Sequence, residues 1–414
     1  MSFLPEESTN NRGKRVFPSS KMQVMPFDVE TMFAELTEAK KRQARKYRGA
    51  DSPLYSAVFP LVCVMKILGL APYDFTKDEM TPSNAGLAFS FAFIGIYSYI
   101  IYIVYLRFTI VKRSSVILSA VENTKVAVNF FVIMYELVWT MSTRGTFTRI
   151  WNELQNLNEK LGQLGYPQNE TKTVIAVWCL LISQTIIWTL VNQSGMYAFG
   201  ETWPFNVGYM LLYIGTAASV FKFFGMVSFL GQRFHQLNRI ARENLPPRLG
   251  YKSSTASRKT IQDLYNELML SSEAFGALYS WSLLFWLGNL SMHSVSNLYF
   301  IIDRTLLTPW SKTTYPLIFN MWSWLIAFAT QLLAIHVSCD YAITEANSIA
   351  AILVEWDARI NRRFNYDNTL TSLQYLNRRL HFTAGGLFDV KLSLLSSIVG
   401  MMSTYLIILL QFPS

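Results

Sequence analysis

Leu392–Phe412 reads LSLLSSIVGMMSTYLIILLQF, twenty-one residues without a charged side chain. At 1.5 Å per residue, such a run makes a helix long enough to cross roughly 30 Å of hydrocarbon. A helix suits that setting because its backbone hydrogen bonds close within the segment. Upstream, comparable windows recur at Ala85–Tyr105, Val121–Met141, Val174–Val191, Val207–Leu230, Phe275–Ile302 and Leu317–Val337. Composition agrees: the chain is 51% hydrophobic and only 15% charged, whereas soluble domains carry about a quarter charged residues. The fold class that follows is all-α, a polytopic membrane protein with seven transmembrane helices. An eighth window, Leu54–Leu70, is short and holds Lys66 and Pro60, which suits a re-entrant or interfacial helix rather than a span.

Charge placement orients these spans. The net charge is +9, and basic residues concentrate before the first span, notably in Lys40–Arg48, and in alternate loops. The loops near 143–172, 231–272 and 341–390 include Arg233, Arg239, Arg242, Arg248, Arg359, Arg362, Arg363, Arg378 and Arg379. The opposite loops hold Lys112, Arg113, Arg304 and Lys312, and the loop at 192–206 holds no basic residue. The positive-inside rule then puts the N-terminus in the cytoplasm and the C-terminus outside. A G-protein-coupled receptor has the reverse orientation and a cytoplasmic tail, whereas only Pro413 and Ser414 follow the last window here. The Asp303-Arg304 pair falls in an outside loop.

The first fifty residues are polar and show no cleavable signal, so the first span is expected to act as its own insertion signal. Nucleic acid is excluded as a partner, because no basic stretch joins a recognisable binding fold. Cys63, Cys179 and Cys339 lie in or beside apolar segments, and no structural disulfide is expected. The sequon Asn192-Gln193-Ser194 sits at the outer end of the third span, while Asn169-Glu170-Thr171 falls on the cytoplasmic side and is silent.

The inside loops have helical periodicity of their own. Ile349, Ile352, Leu353, Trp356 and Ile360 share a face and carry the sixth span past the membrane. After a break near Asn365–Asp367, Leu370, Leu373, Leu376 and Leu380 form a second amphipathic stretch. The fourth span continues through Phe234, Leu237, Ile240 and Ala241 until Leu245-Pro246-Pro247 stops it. These stripes pack either within one subunit or between subunits beneath the membrane.

Two intramembrane charges stand out, Glu136 in the second span and Lys222 in the fourth, at depths that match for pairing. An isolated charge there costs at least about 2.5–3.5 kcal/mol, which favours a partner or a wet cavity. Asn289, His293 and Asn297 recur every four residues on the fifth span. Asn320, Trp322 and Trp324 mark the outer half of the sixth, and Gln184 and Trp188 that of the third. Together these eight are candidates for a small-molecule cavity; the same residue types also serve as interhelical glue and interfacial anchors. No enzyme is indicated. His235, His293, His336 and His381 lack metal-ligand spacing, neither a nucleophile elbow nor a phosphate loop occurs, and no cofactor or metal is expected. A transporter is disfavoured because neither an internal repeat nor matching broken spans are visible.

The segment Phe382-Thr-Ala-Gly-Gly-Leu-Phe388-Asp389, followed by Thr404-Tyr405, five apolar residues and Gln411-Phe412, resembles the C-terminal signature of insect gustatory receptors. It departs at Ala384-Gly385-Gly386, where Ala-Cys-Gly is common. Lys66–Pro72 and Gly231-Gln232-Arg233-Phe234 are weaker echoes. The resemblance implies a ligand-gated, non-selective cation channel, assembled as a homotetramer or a heterotetramer with related receptors in the plasma membrane of a sensory neuron dendrite. It implies a tastant pocket in the outer half of the bundle, cations passing through a central pore, and membrane lipid around it. Carried onto this chain, Gln411 and Phe412 stand at the outer constriction near Ile408, with Thr404 and Tyr405 supporting the helix from behind. Residues 1–53 then form a cytoplasmic segment, 54–342 the first six helices with the pocket, 343–390 the cytoplasmic anchor, and 391–414 the pore-lining helix. Leu406 replaces the Glu often found in sugar receptors, which favours the fructose-receptor-like or the bitter and broadly tuned branches. An odorant receptor subunit and a metabotropic seven-helix chemoreceptor are the alternatives.

Overall fold

The computed structural model describes residues 52–77, 79–110, 116–166, 170–245, 256–307, 314–360 and 377–411. The N-terminal segment before Ser52, Phe412 and the Leu370, Leu373 and Leu376 positions lie outside the described residues. Seven long helices coincide with the seven apolar windows: α2 (Asn84–Ile110), α3 (Val116–Ser142), α5 (Thr171–Phe199), α6 (Trp203–Glu243), α7 (Arg258–Ile302), α8 (Thr314–Ile360) and α9 (Leu392–Leu410). Among the described residues, five of these (α2, α3, α5, α6 and α8) are long and apolar enough to span a membrane on composition alone. Helix α7 falls short because its membrane half buries Asn289, His293, Ser294, Ser296 and Asn297 among its neighbours. Helix α9 is the shortest of the seven, 19 residues long, and its apolar run is interrupted by serines and a threonine.

The outward surface confirms a lipid environment. Ile175, Trp178, Ile182, Ile186 and Leu190 stand at helical spacing on α5, and all are exposed. A stripe of that size in water would be an aggregation site; in a bilayer it is the solvent-facing side.

Helix α1 (Pro53–Ile67) is too short to cross. Ser52 caps it, its hydroxyl accepting from the Tyr55 amide at 3.0 Å. An antiparallel hairpin follows, β1 (Tyr73–Phe75) against β2 (Met80–Pro82). Helix α4 (Arg144–Gln163), unforeseen in the loop after the second span, buries Phe147, Ile150, Trp151, Leu154, Leu157 and Leu161 along one face. Its Asn152 side chain satisfies both the amide and the carbonyl of Met80, each at 2.9 Å.

Helices α6, α7 and α8 have 41, 45 and 47 residues, and at 1.5 Å per residue they run about 60–70 Å, twice the hydrocarbon thickness. The excess gathers at one end as an anchor. Helix α8 there buries Ile349, Ile352, Leu353 and Trp356, and Gly231 of α6 lets Tyr341 of α8 come so close that a Cβ would lie 2.6 Å from its ring. The Gly231–Phe234 echo gains a second reason in Arg233. It is fully buried, lies 4.1 Å from the Phe229 ring centroid and pairs with Glu170 at 2.5 Å.

A second hairpin, β3 (Thr383–Ala384) against β4 (Phe388–Asp389), delivers the chain into α9. Its turn needs two consecutive left-handed residues, Gly385 at φ 59° and Gly386 at φ 71°. The Gly385 amide donates to Ser280 O of α7 at 2.8 Å, and a Cβ at 385 would stand 2.8 Å from Leu284 Cδ2. Fully buried Phe382 fits over Gly276 of α7 and against Phe223 of α6.

Candidate ligand cavity and pore helix

At the end of the bundle opposite the anchor, helices α2, α3, α5, α6, α7 and α8 enclose a cavity of about 380 Å³. Its inner wall is an aromatic cluster. Tyr213 meets Trp324 edge-on with centroids 4.7 Å apart, Trp324 stacks on Phe328 at 5.5 Å, and His293 stacks on Phe328 at 4.8 Å. The Tyr209 and Tyr213 hydroxyls share a hydrogen bond of 3.1 Å. Below it a polar layer ties three helices: Asn129 Oδ1 of α3 accepts from Asn289 of α7 at 3.0 Å and from Thr216 of α6 at 3.3 Å.

Charged residues line the cavity too. Lys125 pairs with Glu122 at 3.0 Å on α3, donates to Asn297 Oδ1 at 3.4 Å and lies 5.7 Å from the Phe300 ring centroid. Arg107 of α2 grips Glu201 through Nη2 at 2.6 Å and Nε at 2.8 Å, with its guanidinium over Phe205. Arg304 lies 3.8 Å from Asp303.

Of the eight positions singled out in the sequence, His293, Asn297, Asn320 and Trp324 line this cavity. His293, Asn297 and Asn320 are 1%, 2% and 1% exposed. Each has one polar atom without a hydrogen-bond partner among the described residues: Nε2, Nδ2 and Oδ1 respectively. Such atoms are where an incoming ligand or water gains most. The other four stand elsewhere. Asn289 is glue in the polar layer. Trp188 forms a layer behind Trp324, their rings edge-to-face at 5.7 Å. Gln184 is half-buried outside the lining, and Trp322 is exposed on the outer face of α8. Helix rotation decided these outcomes, and residue type cannot report it.

Glu136 and Lys222 are both buried but form no direct ion pair. The Lys222 ammonium instead lies 4.4 Å from the ring centroid of Phe147 in α4 and 5.5 Å from that of Tyr73 in β1, so cation–π contact takes the place of a salt bridge. The Asn192 sequon is closed: the side chain is buried and its Oδ1 accepts from Asn206 at 2.9 Å.

Helix α9 contrasts with all of this. Only Ile398 and Met402 are buried among its described side chains. At 100° per residue, Ser393, Ser397, Gly400, Thr404 and Gln411 fall on one line along the side opposite those two. All five are exposed. Thr404 therefore faces away from the core instead of supporting the helix from behind; Ile408, 43% exposed, flanks the line, while Tyr405, 56% exposed, falls about 20° from Ile398, beside the buried face. Arg107, Glu122, Lys125 and Glu201 were missed because they sit at span ends, where charges read as flanks; only the Glu122/Lys125 spacing of three was a signal.

Apolar helices crossing around a partly open aromatic and charged cavity make this a polytopic membrane protein. The chain belongs to the 7tm chemosensory receptor family, whose model matches residues 58–413, and it is accordingly a multi-pass membrane protein and not an enzyme. A putative gustatory receptor 2a of Drosophila melanogaster is 43% identical over 81 residues, a stretch that spans 19% of this chain and 19% of that protein. The fold resembles that of the insect olfactory receptor OR5 from Machilis hrabei, with a TM-score of 0.58, 16% identity, and coverage of 86% of this chain and 98% of that one. The same receptor in complex with eugenol matches at a TM-score of 0.58 with 15% identity, covering 86% and 97%.

Proposed function

We propose that this chain is a gustatory receptor subunit that works as a tastant-gated, non-selective cation channel. A small molecule, either a sugar such as fructose or a bitter compound, binds in the cavity. Four copies, or copies mixed with related receptors, surround a central pore lined by α9. The single observation that carries this reading is the polar line on α9 opposite its buried face. A helix facing lipid on that side would gain nothing from serines and a glutamine, whereas a helix facing a wet axis would. Gln411 and Phe412 stand at the outer constriction in this reading, with the N-terminus cytoplasmic and the C-terminus extracellular in the plasma membrane, as the basic loops support.

Helix α7 links the two parts. It carries His293 and Asn297 at the cavity, and at its middle, at Ser280, it binds the hairpin that hands the chain to α9. A ligand that shifts α7 would therefore move the base of α9. The test is expression in a non-native cell, with current recorded during application of sugars and bitter compounds. Agonist-evoked current that survives G-protein inhibition, with reversal potential or block altered in Gln411 variants, supports the channel. Current abolished by that inhibition refutes it in favour of a metabotropic receptor.

A further inference from the structure

We infer that the cavity selects its ligands by charge: it takes neutral or anionic small molecules bearing a hydrogen-bond acceptor, and it turns away protonated amines. The inference rests on the reading of this cavity as the ligand site, and it narrows the ligand class. Among the described lining residues, three cations (Arg107, Lys125 and Arg304) face two carboxylates (Glu122 and Glu201). Both carboxylates are engaged, Glu122 by Lys125 at 3.0 Å and Glu201 by Arg107 at 2.6 Å. Arg304 has only Asp303 at 3.8 Å, a residue outside the lining. The lining itself thus holds one more cation than carboxylate, with Asp303 beside Arg304 just outside it; both lining carboxylates are ion-paired, although Glu201 Oε2 accepts no hydrogen bond among the described residues.

A protonated amine would either share a carboxylate already held by a lining cation, which repels it, or break that ion pair and strand a partly desolvated cation, a costly exchange. Aromatic faces are the other attraction for a cation. Of the lining rings, Phe205 and Phe300 already carry Arg107 and Lys125 at 5.1 and 5.7 Å, and Tyr209, Tyr213, Trp324 and Phe328 are packed against one another, while Phe108 and Phe199 also line the cavity. An acceptor group meets the opposite situation. Asn297 Nδ2 has no partner among the described residues, and the Lys125 ammonium lies 3.4 Å from the same amide's oxygen. A carboxylate, carbonyl or hydroxyl oxygen placed there gains an N–H donor and a cation together.

The test needs no agonist and no current. Met321 and Ile318 line the cavity; each is replaced in turn, Met321→Cys and Ile318→Cys, so that one position remains if the other variant fails to fold. Modification of the purified receptor by anionic 2-sulfonatoethyl methanethiosulfonate and by cationic 2-(trimethylammonio)ethyl methanethiosulfonate is timed. The unsubstituted receptor supplies the background from Cys63, Cys179 and Cys339, and each rate is divided by that of the reagent with free mercaptoethanol. The normalised anion-to-cation ratio is expected to be roughly tenfold, the low end of focusing by a charged cleft, and to fall several-fold in Arg304→Glu. A ratio within twofold of unity, a ratio indifferent to Arg304→Glu, or modification by neither charged reagent overturns the inference. The channel reading fails on a separate readout, current, so the two failures are distinguishable.

Discussion

Replacing Gly385 by valine tests how the second hairpin is held against α7. Two separable penalties are expected. The first is conformational: at φ 59° a side-chain-bearing residue pays roughly 1–2 kcal/mol for left-handed backbone. The second is steric, because the new Cβ would meet Leu284 Cδ2 at 2.8 Å, and overpacking of this kind costs about 1–3 kcal/mol. Gly386 provides the control: its φ of 71° incurs the first penalty, yet a Cβ there has nothing within 4 Å. Gly385→Val is therefore expected to lower the thermal midpoint of the detergent-solubilised receptor, followed by fluorescence-detected size exclusion, clearly more than Gly386→Val. Leu284→Ala should relieve the steric part, so that a double-mutant cycle between positions 284 and 385 gives a coupling of about 1–3 kcal/mol. Equal midpoints for the two glycine variants, or simple additivity in the cycle, would refute the tight docking of this turn.

Other expectations follow from single contacts. Glu170→Gln leaves the guanidinium of Arg233 buried without its carboxylate, and a loss of about 3–5 kcal/mol should appear as a lower thermal midpoint, whereas an unchanged midpoint would mean that water takes over the pairing. Cysteine scanning of α9 should show Thr404→Cys and Ser397→Cys open to water-soluble thiol reagents in the assembled receptor and Met402→Cys closed; the reverse pattern would remove the pore-lining face. Burial alone would raise Asp389, but Lys391 and His381 more than offset it and hold the carboxyl below its usual 3.8. Because this folded value is depressed, its contribution is complete above 3.8 and is lost as pH falls below it. Hydrogen exchange of the Phe382–Val390 amides should accelerate over that acidic range and lose this dependence in Asp389→Asn.

The spans were legible in the amino-acid order because a membrane helix meets its main constraint locally. Each closes its own hydrogen bonds, and twenty apolar residues suffice whatever surrounds them. For the same reason Leu392–Phe412 could be read as a helix, and the length of α8 could be read from Ile349, Ile352, Leu353 and Trp356. What the order of residues left open was rotation and partnership. Asn289 and Asn297 share a face of α7, yet one ties helices together and the other lines the cavity, because neighbouring helices occupy different depths. Arg107 and Glu201 lie 94 positions apart, and nothing local couples them. Glu136 and Lys222 match in depth, while the fold brings Lys222 to Phe147 and Tyr73 of α4 and the first hairpin. Only tertiary packing, which sets how each helix is turned against the next, decided which polar residues became mortar and which became a site.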